Sequence, residues 1–351
     1  MGLIRTLLAL AVVLGHTQAP YLSVGGRNAV QMFYAISGFL ISYVWVERRS
    51  YANVGAFYAN RYLRLYPIYA VVGLFTLLAC AASIRPEWIH VYQQAPEGAR
   101  WLLGISNAFI LGQDWIMFLA VKANQLVFSS DFRDSDVQLW QGLLAPQAWT
   151  LGVELSFYLV APFILRRRSV LFALLGVSLV LRLWLVHAGL GLKDPWDYRF
   201  FPTELALFIL GALSHQVLRP WYARLWGTER QLVAGRWASG GLAALVLVFP
   251  WLPGSTLLKS AALFAVFLPC LPLLFAWQSA SRVDRAVGEL SYPIYVSHWL
   301  VIDLCAALLG RHEGSVLTVV VLPITLAFAY GLNRWVGEPV ERWRDRLRDR
   351  A

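Results

Sequence analysis

Apolar residues along this chain come in blocks close to 20 residues long, separated by short polar connectors rich in arginine. A block of that length matches the hydrocarbon core of a bilayer crossed by one helix. Stretches such as 171–181 stay apolar at consecutive positions, whereas a membrane barrel alternates with period two. The pattern predicts ten spans, at 3–22, 30–46, 66–84, 147–165, 169–189, 203–218, 237–253, 256–277, 290–309 and 315–335. The fold class expected is all-α, a polytopic transmembrane helical bundle of about ten spans with a long, partly re-entrant outer segment.

Segment 101–120 decides the topology. It is apolar enough to span but holds Asn107, Gln113 and Asp114. Counted as a span, it puts Arg166, Arg167 and Arg168 outside. Left out, it gathers twenty of the 30 Lys and Arg residues on one side against nine on the other, with Arg182 inside a span. The positive-inside rule then places both termini in the cytoplasm. Segment 101–120 becomes re-entrant or lies on the outer surface, which is tolerated where protein buries its backbone. The outer segments 85–146 (with Asp131, Asp134 and Asp136) and 190–202 are the two long enough to carry function. The chain reads as a single integral-membrane domain over 1–351, with 336–351 a short basic cytoplasmic tail. No internal repeat, low-complexity tract or separate soluble domain is expected.

Composition narrows the classes further. Hydrophobic residues make up 58% and charged residues 14%, against about 25% charged in soluble domains. That excludes a water-soluble globule, a disordered chain and a collagen or coiled-coil rod. The net charge of +10 would suggest nucleic acid in a soluble protein. Here the arginines sit between apolar blocks and read as topology signals. The three cysteines, Cys80, Cys270 and Cys305, lie in apolar blocks with neither disulfide nor metal spacing, and no metal is expected. Residues 1–19 have the outline of a secretory signal, and Met1-Gly2 with Thr6 that of a myristoylation site. Both outlines arise easily by chance, and the run reads as the first span.

Ionisable groups at bilayer depth are expensive and usually functional. Arg5 and His16 lie eleven residues apart on the first span, about 16 Å and about three turns, so both face the same way. Glu154 lies about 10 Å into its span and His298 about 12 Å into another, while Ser37 is seven residues into the second. Four helices thus bring His16, Ser37, Glu154 and His298 to comparable depth, where convergence would make one polar site. Each has a bland reading beside the functional one. Ser37-Gly38 allows close helix packing, His298 can bond a carbonyl, and Glu154 can pair with an arginine. His16 has the strongest chemical case, because imidazole accepts a proton near neutral pH. In 47–65, Arg61 and Arg64 are three apart and share a helix face, as a phosphate clamp or as an anchor at lipid headgroups. Spacing alone favours neither.

Taken in order, these residues resemble the membrane-bound acyltransferase family 3, whose members O-acetylate bacterial surface polysaccharides and some small molecules. Arg5 and His16 resemble its Arg-x10-His element. Residues 33–41, Phe-Tyr-Ala-Ile-Ser-Gly-Phe-Leu-Ile, are similar to its Phe-Phe-x-x-Ser-Gly-Phe-Leu-Ile stretch. Residues 61–67 resemble Arg-x-x-Arg-x-Tyr-Pro, and Trp149-Thr150-Leu151 with Glu154, Phe157 and Tyr158 resembles Trp-Ser-Leu-x-x-Glu with Phe-Tyr. Residues 291–298 resemble Ser-Tyr-x-x-Tyr-x-x-His, and Glu338-Pro339 matches the closing element. Tyr34, Thr150 and Gln31 depart mildly from the family's usual Phe, Ser and Asp.

The resemblance implies an acyl-CoA-dependent O-acyltransferase. It moves an acyl group, acetyl by default, from cytoplasmic acyl-coenzyme A to a hydroxyl of an extracytoplasmic glycan or glycolipid. It also implies residence in the inner membrane of a bacterium. In that reading His16 is the general base and Glu154 orients it or a second proton carrier. Arg5, Arg61 and Arg64 hold the phosphates of coenzyme A. Ser37, Tyr158 and His298 line the site, and Arg199 and Glu204, at the outer mouth of the sixth span, meet the sugar. A transporter or flippase of a lipid-linked sugar also has polar groups at the midplane, but no inverted repeat is visible. A structural or sensory protein would use the same groups only to fix packing.

Overall fold

A computed structural model describes residues 1–17, 19, 23–279, 281–310 and 314–348, without the side chains of 346–348. In chain order the helices begin with α1 (Gly2–His16), α2 (Gly26–Ser42, extended by a π turn Tyr43–Glu47), α3 (Val54–Ala81), α4 (Pro86–Gln94) and α5 (Glu97–Phe109). A small hairpin, β1 (Leu119–Lys122) and β2 (Gln125–Phe128), follows. Then come α6 (Trp149–Ile164), α7 (Arg168–His187) and α8 (Phe201–Leu213, leading through a π turn Ser214–Leu218 into α9, Arg219–Leu225). The chain ends with α10 (Thr228–Val248), α11 (Thr256–Gln278), α12 (Arg282–Glu289), α13 (Ser291–Leu309) and α14 (Ser315–Leu332), which a π turn Asn333–Gly337 joins to α15 (Glu338–Arg348).

Eight of these helices are long and apolar enough to cross a membrane. With the shorter α1 and α6, every one of the ten expected spans has its helix, and the all-α bundle stands. Two limits differ. The first span stops at His16 rather than 22, and of the segment beyond it residues 18 and 20–22 lie outside the described residues. At 15 residues, α1 is about 22 Å long, short of the ~30 Å hydrocarbon core. The third helix begins at Val54 rather than 66, capped by the Asn53 side chain, which accepts from Ala56 N at 2.8 Å. Arg61 and Arg64 are therefore helical rather than in a loop.

The inner helices are α1, α2, α6, α8 and α13. On α1, Ile4, Leu8, Ala9, Ala11 and Val13 are fully buried, and the Asp284 carboxylate of α12 accepts from the N–H groups of Gly2 (2.6 Å) and Leu3 (2.8 Å) at its start. α7, by contrast, turns Val177, Val180, Leu183 and Trp184 outward, each at least 60% exposed. Such an apolar outer face suits lipid. One end of the bundle gathers the basic connectors. Arg166 there lies over the Trp45 ring, Arg168 bonds the Gln216 carbonyl and Arg219 pairs with Glu47. The opposite end carries the long 82–148 segment and is called the loop end below.

That segment is re-entrant. α5 runs inward beside α3 until the Phe109 carbonyl accepts from Tyr62 Oη at 3.4 Å, about two turns from the start of α3. Ile110, in the left-handed region (φ 65°), turns the chain back. Asn107, Gln113 and Asp114, awkward for a span, are the residues that bury this backbone. Asn107 donates to the Gly142 carbonyl (2.8 Å) and accepts from Leu144 N (2.8 Å). Gln113 donates to Tyr69 Oη at 2.7 Å, and Asp114 packs on Gly152 of α6. Trp101, Ile105 and Phe109 form the exposed apolar face. The hairpin turn Ala123-Asn124 has positive φ at both residues (47° and 60°), the two-residue geometry that matches strand twist.

α2 and α8 pack backbone to backbone. A Cβ on Gly38 would lie 1.9 Å from the Phe208 carbonyl oxygen, and one on Gly211 would lie 1.9 Å from that of Ala35. Both oxygens belong to rigid backbone. Small residues let membrane helices approach this closely. Gly211→Val is expected to separate the pair and to cost about 3 kcal/mol or more. The check is the midpoint of thermal unfolding in detergent, and a variant as stable as the parent would refute the contact.

Candidate functional site

Three cavities follow one another through the bundle. The basic-end cavity is about 540 Å³, the middle one about 80 Å³ and the loop-end one about 510 Å³. Arg5, Leu40, Arg64 and Tyr292 line both the basic-end and the middle cavity. Val30 and Tyr295 line both the middle and the loop-end cavity.

α1 presents its two polar residues at either end of this path. Arg5 stands at the inner junction and His16, an exposed side chain, on the wall of the loop-end cavity. α3 brings Arg64 to the same junction as Arg5. Pro67, one turn on, leaves the Leu63 carbonyl without its helical N–H donor, and both residues line the basic-end cavity. Among the described residues neither Arg5 nor Arg64 forms an ion pair. Two unpaired guanidiniums held inside a bundle are costly unless an anion joins them.

Four residues expected to converge form two pairs instead. In the middle cavity, Ser37 Oγ donates to Glu154 Oε1 at 2.8 Å, and Tyr158 Oη donates to the same oxygen. In the loop-end cavity, the His16 and His298 rings stack with centroids 5.2 Å apart. Glu154 therefore does not orient His16. Among the described residues His16 forms no hydrogen bond, and both its ring nitrogens are free for a ligand. Trp299 meets the His16 ring edge-on at 4.7 Å. His298 lines none of the three cavities and reaches the loop-end one only through the His16 ring. It is fully buried behind His16, with Nδ1 donating to the Tyr295 carbonyl at 2.6 Å, which fixes the tautomer.

Two further expectations are corrected. Arg61 does not join Arg64, because three helical residues leave side chains about 60° apart. That offset turns it away from the cavity. It is 4% exposed, donates to Tyr51 Oη and to Asn60 Oδ1 (2.9 Å), and lies over the Tyr51 and Phe57 rings. Asn60 in turn bonds Arg344, so this cluster ties α3 to α15. Glu204 does not face the loop-end cavity either. It is completely buried, accepts from Arg182 (2.5 Å) and Gln31 (3.1 Å), and so neutralises the arginine inside a span. Arg199 does line the cavity. Asp194 holds it at 2.5 and 3.0 Å, and its guanidinium lies 4.3 Å from the Trp149 ring centroid.

Sequence reasoning left Tyr292, Tyr295 and Trp299 without roles. Tyr292 donates to the Leu65 carbonyl at 2.6 Å, and Tyr295 Oη lies 2.8 Å from Thr150 Oγ1. The signal was their spacing. Residues three and four apart share a helix face, so Tyr292, Tyr295 and Trp299 form one stripe of α13 that walls all three cavities.

Comparison with known proteins places this geometry. A family model described as an acyltransferase domain matches residues 1–334. The chain is 25% identical over 326 residues to the O-acetyltransferase OatA of Staphylococcus aureus, covering 85% of this chain and 49% of that protein. It is 26% identical over 294 residues to Nodulation protein 10 of Rhizobium leguminosarum bv. viciae, covering 80% of this chain and 72% of that protein. The chain thus spans about half the length of the staphylococcal relatives it matches. No solved structure matches it.

Proposed function

We infer, because the chain belongs to the acyltransferase family through a domain that covers residues 1–334, that it is a membrane O-acyltransferase. It moves an acyl group, acetyl first among them, from acyl-coenzyme A to a hydroxyl of an extracytoplasmic glycan or glycolipid. The observation that carries this reading is the pair Arg5 and Arg64, unpaired among the described residues and standing between the basic-end and middle cavities. Their charge suits the phosphates of coenzyme A. The basic end is then the cytoplasmic face of a bacterial inner membrane, with both termini there.

The donor's thioester arm enters the middle cavity past Ser37, Glu154 and Tyr158, and its acyl carbon reaches His16. The acceptor hydroxyl approaches through the loop-end cavity, beside Arg199. His16 takes the hydroxyl proton as the oxygen attacks the thioester carbonyl, the C–O bond forms, the C–S bond breaks, and the proton passes to the departing thiolate. Glu154, held by Ser37 and Tyr158, positions the arm rather than the base. Passage of a lipid-linked sugar fits less well. The middle cavity, about 80 Å³ between neighbours of about 540 and 510 Å³, is a constriction that the sugar headgroup would have to pass.

The test supplies radiolabelled acetyl-coenzyme A to the cytoplasmic face of membranes carrying the protein. The expected result is alkali-labile label in an envelope glycan, with one free thiol released per ester formed. Well-expressed protein that gives neither label nor thiol with acetyl-, propionyl- or succinyl-coenzyme A would overturn the reading and favour transport.

A further inference from the structure

The loop-end cavity shares two walls, Trp140 and Trp299, with a fourth concavity of about 190 Å³ at the same end. The two indoles meet edge to face at 6.3 Å, and Trp299 in turn touches the His16 ring at 4.7 Å. One aromatic ridge thus has the candidate base on one side and a polar pocket on the other. Arg85, Glu87, Gln141 and Asp303 line that pocket.

Its construction is specific. Arg85 is 7% exposed, with Nη1 donating to the Leu144 carbonyl at 3.2 Å and Nε lying 3.1 Å from Asp303 Oδ2. It holds Asp303, whose side chain is 22% exposed, at the pocket wall. Glu87 is exposed and Gln141 half-buried beside it. Two carboxylates, an amide and a guanidinium accept from and donate to hydroxyl groups, while the indole faces take the C–H face of a ring. A few placed polar groups among aromatic walls are what orient a small polar ligand. At about 190 Å³ the pocket leaves room for a small polar ligand.

We propose that this pocket is an accessory subsite for a second sugar ring of the acceptor, so that the acceptor is a glycan of two or more linked rings. The reacting ring lies beside His16, and its neighbour crosses the Trp140–Trp299 ridge to meet Asp303 and Gln141. This rests on the reading of the loop-end cavity as the acceptor site.

The probe is the envelope glycan labelled in the membrane assay, cut into one-ring and two-ring fragments. Purified protein is assayed for kcat/KM with each fragment. The parent is expected to prefer the two-ring fragment. In Asp303→Asn/Gln141→Ala that preference falls about tenfold, through KM, as expected for the loss of two hydrogen-bonding groups. Glu87→Gln/Gln141→Ala, which leaves the Arg85–Asp303 pair intact, shifts it in the same direction. A parent with no preference, or variants that change both fragments equally, would overturn the subsite while leaving acyl transfer standing. Absence of any labelled glycan overturns the subsite, and absence of released thiol as well overturns acyl transfer itself.

Discussion

His16→Ala is expected to lower acyl transfer by about a hundredfold or more, since a positioned general base contributes on the order of 10²–10⁴. The loss falls on kcat, with KM for the donor little changed, because Arg5, near the other end of α1, and Arg64 of α3 line the basic-end cavity instead. Folding is spared for a local reason. α1 packs through Ile4, Leu8, Ala11 and Val13, all fully buried, while the His16 ring is exposed on a cavity wall. His16→Gln keeps the size and hydrogen bonding of the side chain without its basicity, and the same loss is expected. Initial rates with labelled acetyl-coenzyme A, normalised to protein level, decide the matter. Normal transfer by either variant would remove His16 from the chemistry.

This expectation differs from the one the sequence alone supports. Depth arithmetic put His16, Ser37, Glu154 and His298 on one level, and depth is what a helical pattern with a 1.5 Å rise conveys. The arithmetic assumed a first span reaching residue 22, whereas α1 stops at His16, which therefore stands at the loop end of its helix rather than at mid-depth. Ser37 and Glu154 face the middle cavity and His16 the next one, with Tyr295 and Val30 between. A partner for His16 was sought among carboxylates, and the structure supplies two rings, His298 and Trp299, instead.

The bundle was legible because long apolar blocks have one solution in lipid. Segment 101–120 was legible for a different reason. Its three polar residues could not face hydrocarbon, and each bonds or packs within the protein. What stayed hidden was partner choice among charges. Glu204 looked like a site residue and Arg182 like a lone charge inside a span, and only tertiary structure pairs them. Ser37-Gly38 carried two readings, and each residue took one. Gly38 packs on α8 while Ser37 holds Glu154.

The arginines of α3 give the sharpest contrast between neighbours. Arg5→Ala/Arg64→Ala is expected to raise KM for acyl-coenzyme A by about 10²-fold or more, as each charged hydrogen bond to phosphate is worth roughly 1.5–3 kcal/mol. Lysine at Arg64 is expected to recover part of this, since an ammonium keeps the charge but not the two-pronged geometry. Arg61→Ala acts differently. It removes the donor to Tyr51 and Asn60 in a buried cluster that anchors Arg344, so unfolding temperature falls while the KM of surviving protein stays near the parent's. The two outcomes separate a ligand clamp from a helix tie. A donor KM raised equally by Arg61→Ala and Arg64→Ala would restore both to one face and refute the geometry that divides them.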